Sequence, residues 1–397
     1  MPKYSLIIPC YNGLPYIKTC ITSILSQKYT DYELILSEDH SSDGTAEYLD
    51  SLKEVNNVKI LHCPQRMSMA EHWEWAQSFA TGEWQLFIGQ DDGIQGYFFE
   101  LADRLTAICD KKKLEVIMSE RAYFFWPGCE ETYGNVMLNY HSEDYYKILD
   151  TRKEMRRALY DTALSYMDLP SMYTTSLFKK TLIDEIKQKQ NGKFFSTHPQ
   201  DANLAALVVL FQKKYIKSYI PLGWVGSSVK SAGLAITNLV KNDQNAYGRE
   251  YLNTVTSSKL KTHHLAGDFK LPSFHIYFWS ALLTVSEKQN PKLYNELISF
   301  KTKKRIFFRA LQNISKESKE MFNELLKINN MTIEDLKLSH NIFFEKIQNK
   351  YNAKIDSINK RFHKLNFMKS TDLYFEHNEI EYDMSKIYDT LSYYILH

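Results

Sequence analysis

Apolar runs of four to seven residues alternate with longer amphipathic stretches through the first hundred positions. Tyr4–Pro9, Tyr32–Glu38, Val58–Cys63 and Trp84–Ile88 read as buried strands. Helical spacing follows each of the first three, near Tyr16–Ser26, up to Leu52, and over Ala70–Ala80. This β-α-β-α-β-α-β order predicts an α/β fold with a mainly parallel sheet and right-handed crossovers. From 97 to 225 the pattern is mixed: strands are expected over Leu114–Glu120 and Arg121–Trp126, and helices near 151–164, 175–189 and 201–212. The Gly/Ser-rich run Gly223–Gly233 reads as a mobile loop, and the main domain is expected to end just after it, near 235. Beyond 240 the spacing is helical. Tyr351, Ile355, Ile358, Phe362 and Leu365 share one face, which predicts a helical hairpin against the rest of the chain rather than a free coiled coil.

The run Phe87-Ile88-Gly89-Gln90-Asp91-Asp92-Gly93 ends an apolar strand in two adjacent carboxylates. Such sheets bind ligands at the carboxyl ends of their strands. A carboxylate pair there suits a hard divalent cation that completes its shell with phosphates and water. Asp-Asp-Gly is also ordinary turn chemistry. Asp39 closes the second strand over the same crevice, where it can accept from a nucleotide base or cap the next helix.

With 397 residues and 44% hydrophobic content, the chain can bury a sizeable core and accommodate two domains. Its formal net charge of +2 gives no general attraction to nucleic acid. Five scattered cysteines without CxxC spacing read as reduced thiols in a cytoplasmic protein. No window offers about twenty apolar residues, Ile276–Val285 being half that length. In Lys301–Lys369, Lys and Arg outnumber Asp and Glu roughly two to one, which suits either a solvated helical face or peripheral docking on an anionic membrane.

Three segments together carry a resemblance: Ser5–Gly13, Ser26–Thr45, and Arg66–Ala76 with Ala80–Trp84 and Gln90–Gly93. They resemble family 2 glycosyltransferases of the GT-A fold over about residues 4–235; residues 236–397 resemble nothing recognised and are expected to form a mainly helical region. The resemblance implies an inverting glycosyltransferase of bacterial surface-glycan synthesis. It would move a hexosyl or N-acetylhexosaminyl group from a nucleotide-sugar donor, UDP-linked by preference, to a glycan or lipid-linked acceptor. It further implies that Pro9, Tyr11 and Asn12 line the nucleotide pocket and Tyr11 stacks on the base. Asp39 would hydrogen-bond the base, Asp91 the ribose or donor sugar, and Asp92 would ligate Mg2+ or Mn2+. Asp201, after His198-Pro199 at an expected helix start, is the matching general base, although a helix cap reads equally from the residues alone. His198 is a candidate third metal ligand or phosphate donor, and Ser227, Ser228, Lys230 and Ser231 are candidate diphosphate contacts.

The chain departs from the pattern at Gln90, where an acid is usual, at Glu38-Asp39-His40, and at Arg66 and His72, where asparagines are common. Gln90 removes one potential anionic ligand and keeps open a non-catalytic scaffold reading. Arg66 would add a phosphate contact or serve packing. A homo-oligomer is compatible with the sequence. Dinucleotide enzymes are disfavoured because the first turn, Pro9–Gly13, lacks the G-x-G-x-x-G glycines.

Overall fold

A computed structural model describes residues 1–126, 136–138, 145–160, 164–228, 231, 259–267, 271, 273–314 and 318–336. The N-terminal part runs β1 (Tyr4–Cys10), α1 (Leu14–Leu25), β2 (Tyr32–Glu38), α2 (Thr45–Asp50), β3 (Val58–His62), α3 (Met69–Gln77) and β4 (Trp84–Phe87). There follow β5 (Gly93–Ile94), α4 (Phe98–Lys112), β6 (Val116–Ser119), β7 (Ala122–Phe125), β8 (Val136–Leu138), β9 (Tyr146–Asp150) and α5 (Thr151–Tyr160). Next come β10 (Ser176–Lys179), α6 (Lys180–Lys189), α7 (Gln200–Phe211), β11 (Lys214–Ser218) and β12 (Gly223–Ser227). The C-terminal part is helical: α8 (Phe274–Gln289), α9 (Pro291–Ile298), α10 (Phe300–Asn313), α11 (Lys319–Ile328) and α12 (Ile333–Leu336).

Among the described residues the main sheet has eight strands in the order β3-β2-β1-β4-β10-β6-β11-β9. The first four are mutually parallel, in a register that sets Cys10 beside Glu38 and Ile7 beside Phe87. β10 is antiparallel to both neighbours, and β11 returns parallel to β6. Alternation along β1 explains why both faces are covered: Leu6 and Ile8 point into the core with α1 and α4, and Ile7 into the core with α3 and α7. The chain steps from β1 out to β2 and β3, then crosses back to β4 on the other side of β1. That reversal is the switch point at which open α/β sheets bind ligands.

A smaller sheet, β5-β12-β7-β8, sits beyond the Asp91–Asp92 turn. Here two expectations are corrected. The segment expected as a loop contains β12, and the helix expected over 175–189 begins only at Lys180, because Ser176–Lys179 fills the sheet between β4 and β6. The glycines of β12 mark close approach rather than a turn: a Cβ on Gly226 would collide with the Asp91 carbonyl oxygen and the Trp126 ring.

α7 and α8 are buried nearly all round and pack on each other in one continuous core with α9, α10 and α11. A helix apolar on all sides must be wrapped by others. The apolar segment Ile276–Val285 is therefore core, and no helix among the described residues is long and apolar enough to cross a membrane. The expected helical face over 351–365, Cys129 and the part of the basic segment beyond 336 lie outside the described residues.

Candidate active site

The site is built along the carboxyl edge of the main sheet, strand by strand. At the end of β2, Asp39 is fully covered. Its carboxylate accepts from the Met67 backbone N–H at 3.1 Å and is paired with Arg66. The Arg66 guanidinium lies 3.6 Å above the Tyr11 ring. Arg66 itself is 39% exposed, so the cover over Asp39 is one side chain thick. Burial pushes the Asp39 carboxyl up, against the pull of Arg66 and the Met67 N–H. Behind it, His72 bonds Ser37 Oγ at 2.7 Å and sits 3.8 Å from Asp39. Burial holds this imidazole down at about 4, hence neutral at physiological pH. Arg66, expected to add a phosphate contact or to serve packing, is engaged by Asp39 and Tyr11.

The loop after β1 is fixed from both sides. Asn12 accepts from the Ser42 backbone N–H at 2.8 Å, and its own N–H donates to Ser41 Oγ at 3.0 Å. Pro9, the last partly exposed residue before that loop, lies beside Ser37. Asp43 accepts from the Leu14 N–H and from Thr45, a structural bracket between α1 and α2. Gln90 has a defined task that an acid could not perform. Its Oε1 accepts from the Tyr11 N–H at 3.0 Å, and its Nε2 donates to the Tyr11 carbonyl at 2.9 Å. A carboxylate has no N–H for the second bond.

Asp91 and Asp92 follow β4 and differ sharply. Asp91 stays partly exposed, and its Oδ2 accepts from Ser228 at 2.8 Å and Ser231 at 2.9 Å. Asp92 is fully buried. Its Oδ1 accepts from the Gly226 N–H at 2.7 Å, and its Oδ2 from the Gly89 N–H at 3.1 Å and from Thr174 Oγ1. Tyr173 also hydrogen-bonds it. Asp92 is thus no exposed strand-end carboxylate: it ties the turn to β12 and to the segment before β10. That segment is strained, since Met172 and Thr174 hold φ of 51° and 37°, the latter rare for a β-branched residue. Gly89 has no room for a Cβ because the Tyr173 hydroxyl packs against it.

Burial raises both carboxyls, and the Asp91 charge helps push Asp92 to about 7. Among the described residues neither has an ion-pair partner. Two adjacent, uncompensated carboxylates fit a divalent cation by charge. They fit it less well by free valence, because Asp92 already accepts several hydrogen bonds. No group of three or more His, Cys, Asp and Glu among the described residues is arranged to hold a metal. The protein therefore offers two carboxylates at most, and oxygen from elsewhere must fill the shell. His198 has Glu71 and Lys261 as its charged neighbours, not the Asp pair, and burial lowers it to about 4.

On the far side, Asp201 occupies the first turn of α7, where Pro199 is the cap residue. Its Oδ1 accepts from the Ala202 N–H at 2.8 Å, and its Oδ2 from the Tyr166 hydroxyl at 3.3 Å. Burial raises its carboxyl, against the Ala202 N–H and the Arg121 charge. Asp201 is thus not the helix cap, the alternative its position left open. The Tyr173 hydroxyl feels Asp91, Asp92 and Asp201 together, which brings the carboxylates of β4 and α7 into one neighbourhood. Nothing in the residue pattern marks Tyr173, Thr174 or Tyr166. Arg121 was also missed, although it carries the same signal as the Asp pair: a polar residue just past an apolar strand, β6.

Residues 5–180 match the family described as glycosyl transferase family 2. The chain carries a family 2 glycosyltransferase domain. The glycosyltransferase GlyG of Streptococcus pneumoniae serotype 4 is 28% identical over 195 residues, 48% of this chain and 61% of its own. EpsJ of Bacillus subtilis, named an uncharacterized glycosyltransferase, is 28% identical over 118 residues, 30% of this chain and 33% of its own. The chain thus spans less than two thirds of the length of either relative. Among solved structures, S. aureus TarS 1–349 in complex with UDP superposes with a TM-score of 0.46 at 15% identity, covering 84% of this chain and 89% of that one. This family 2 domain includes Asp39, Arg66, Gln90, Asp91 and Asp92; Asp201 lies beyond the matched residues.

Proposed function

We propose that the protein transfers a sugar from a nucleoside-diphosphate donor, UDP-linked by preference, to a hydroxyl of a glycan or lipid-linked acceptor, with inversion, in bacterial surface-polysaccharide synthesis. One observation carries the reading. Asp39 and the Asp91–Asp92 pair follow β2 and β4 on one sheet edge, and the Tyr173 hydroxyl, bonded to Asp92, also feels the charge of Asp201 at the start of α7.

Each group has a task in that scheme. Asp39 and the Arg66–Tyr11 stack read the base and take its flat face. The backbone of Tyr11, fixed by Gln90, holds the pocket's shape before the donor arrives. Asp91 and Asp92 are the residues that would hold Mg2+ or Mn2+, which when bound neutralises the leaving diphosphate. Asp201 takes the proton from the acceptor hydroxyl as that oxygen attacks C1 from the face opposite the leaving group. Its burial-raised pKa makes it a stronger base than a free carboxylate, while the Arg121 charge favours its ionised form. The donor-independent job of Gln90 removes the main ground for a non-catalytic scaffold. Attachment to an anionic membrane face through 301–369 and self-association remain part of the proposal.

The test is a donor screen that measures nucleoside-diphosphate release from a panel of sugar nucleotides with Mn2+ or Mg2+. NMR of the new linkage then reads its configuration. Release from a UDP-sugar with an inverted product supports the reading. No release from any donor, or a retained anomer, overturns it.

A further inference from the structure

Arg121 stands just past β6 and is densely surrounded by protein, yet it remains partly exposed. Its guanidinium donates to the Met167 carbonyl at 2.6 Å and hydrogen-bonds Tyr123. Its Nε is buried and faces no acceptor. Among the described residues it makes no ion pair, whereas Arg66, Arg104, Arg156 and Arg157 each pair with a carboxylate. Asp168 and Asp201 are close enough to be felt but not to be bonded. Those two charges favour the guanidinium from a distance, but its Nε is left without a bond, and a deep-set cation gains most from an oxygen that pairs with it directly.

Its place on the edge says what that partner is. β2, β4 and β6 are each two strands apart in the sheet. At about 4.8 Å per strand, Arg121 lies about 10 Å along the edge from the Asp91–Asp92 turn, on the side away from Asp39. A diphosphate held at that turn with its base toward Asp39 extends in the opposite direction. The carboxylates whose charge reaches Arg121 are Asp168 and, on this side, Asp201. We propose that Arg121 is an anion seat on the acceptor side, receiving a carboxylate or phosphate carried by the acceptor next to the hydroxyl that reacts. The assignment rests on the transferase reading above, since that reading defines which side is the acceptor's. An anionic group there also complements the guanidinium geometry, which binds such oxygens through two parallel N–H bonds.

The experiment uses the full chain and simple probes. Saturation-transfer NMR would measure glucose 6-phosphate, glucuronate and neutral glucose, each with and without saturating UDP and Mg2+. The anionic probes should bind on the order of tenfold more tightly than glucose. UDP should not displace them, and Arg121→Gln should erase the preference while leaving UDP affinity within about twofold. Arg121→Lys, which keeps the charge, should retain part of the preference and serves if the glutamine variant fails to fold. Absence of any anion preference, including absence of binding, overturns the seat. Displacement by UDP, or equal loss of UDP affinity in Arg121→Gln, reassigns the guanidinium to the diphosphate. UDP-glucuronate bound more tightly than UDP-glucose, with the difference lost in Arg121→Gln, moves the anion to the donor sugar. If wild type binds the anions but no nucleotide, the transferase reading fails and the anion seat stands on its own.

Discussion

The two ends of the carboxyl edge balance their charges in opposite ways. At the β2 end, buried Asp39 is closed by Arg66 and by the Met67 N–H. At the β6 and α7 end, Arg121 and Asp201 are near each other but unpaired, held by a carbonyl and a phenol. Between them the Asp91–Asp92 pair has hydrogen-bond donors but, among the described residues, no cation. The closed end keeps its shape without a ligand, with Arg66 as a thin, movable cover. The open end keeps charge in reserve for something that arrives. Charges left unbalanced are where substrate groups are expected; balanced ones mark preformed walls.

The largest effect should come at the open end. Asp201→Asn is expected to lower turnover about 10² to 10⁴-fold while calorimetric UDP binding is retained. Near-normal turnover, or loss of donor binding alone, would return Asp201 to a purely structural part in α7. Next is Asp92→Ala, which strands the Gly226 and Gly89 N–H groups in a buried turn. About 2–4 kcal/mol of stability should go, read as a shift in the urea midpoint, together with loss of transfer. An unchanged midpoint would mean that the turn is held by other contacts.

What the sequence disclosed follows the same division. β1, β2 and β4 were legible because each is an apolar run with a polar stop, and Asp39, Asp91 and Asp92 are those stops. β10 was misread as the start of a helix because Ser-Leu-Phe-Lys is too short to show a period of two. β12 was misread as a loop because glycine is ambiguous: at Gly226 it answers the Asp91 carbonyl pressing on its Cα. Tyr173 and Thr174 left no trace, since their placement depends on left-handed backbone at Met172 and Thr174, which those residue types do not favour.

Smaller effects probe the closed end. Asp39→Ala should raise the UDP dissociation constant roughly tenfold, by loss of one charge-assisted contact. Equal affinity for UDP, GDP, dTDP and CMP in wild type would show that the base is not read there. Gln90→Glu keeps the acceptor for the Tyr11 N–H and sets a carboxylate against the Tyr11 carbonyl. A loss of about 1 kcal/mol in donor affinity is expected, a few-fold in the dissociation constant, and an increase would instead make position 90 a metal ligand in waiting.

The gentlest probe is pH. Asp92 is raised to about 7 in the folded chain, against about 3.9 unfolded. The folded state then binds its proton more tightly, so this contribution is full below the unfolded value and is lost as pH rises through about 7. In EDTA, the thermal midpoint of wild type should fall across that window more steeply than that of Asp92→Asn. Saturating Mg2+ or Mn2+ should flatten the wild-type slope. A slope indifferent to both would show that no cation answers this carboxylate.

The wrapping of α7 by α8 sets where this chain can be cut. The family match covers residues 5–180, and the domain border expected from the sequence lies near 235. Both borders leave out residues 274–289, which clothe the helix that bears Asp201. A chain ending at 180 would lack α7 and Asp201 altogether, and one ending near 235 would present the bare leucine, valine and alanine of α7 to water. Ancestry and cooperativity thus draw different outlines on the same polypeptide, and the smallest piece able to do chemistry is set by the second.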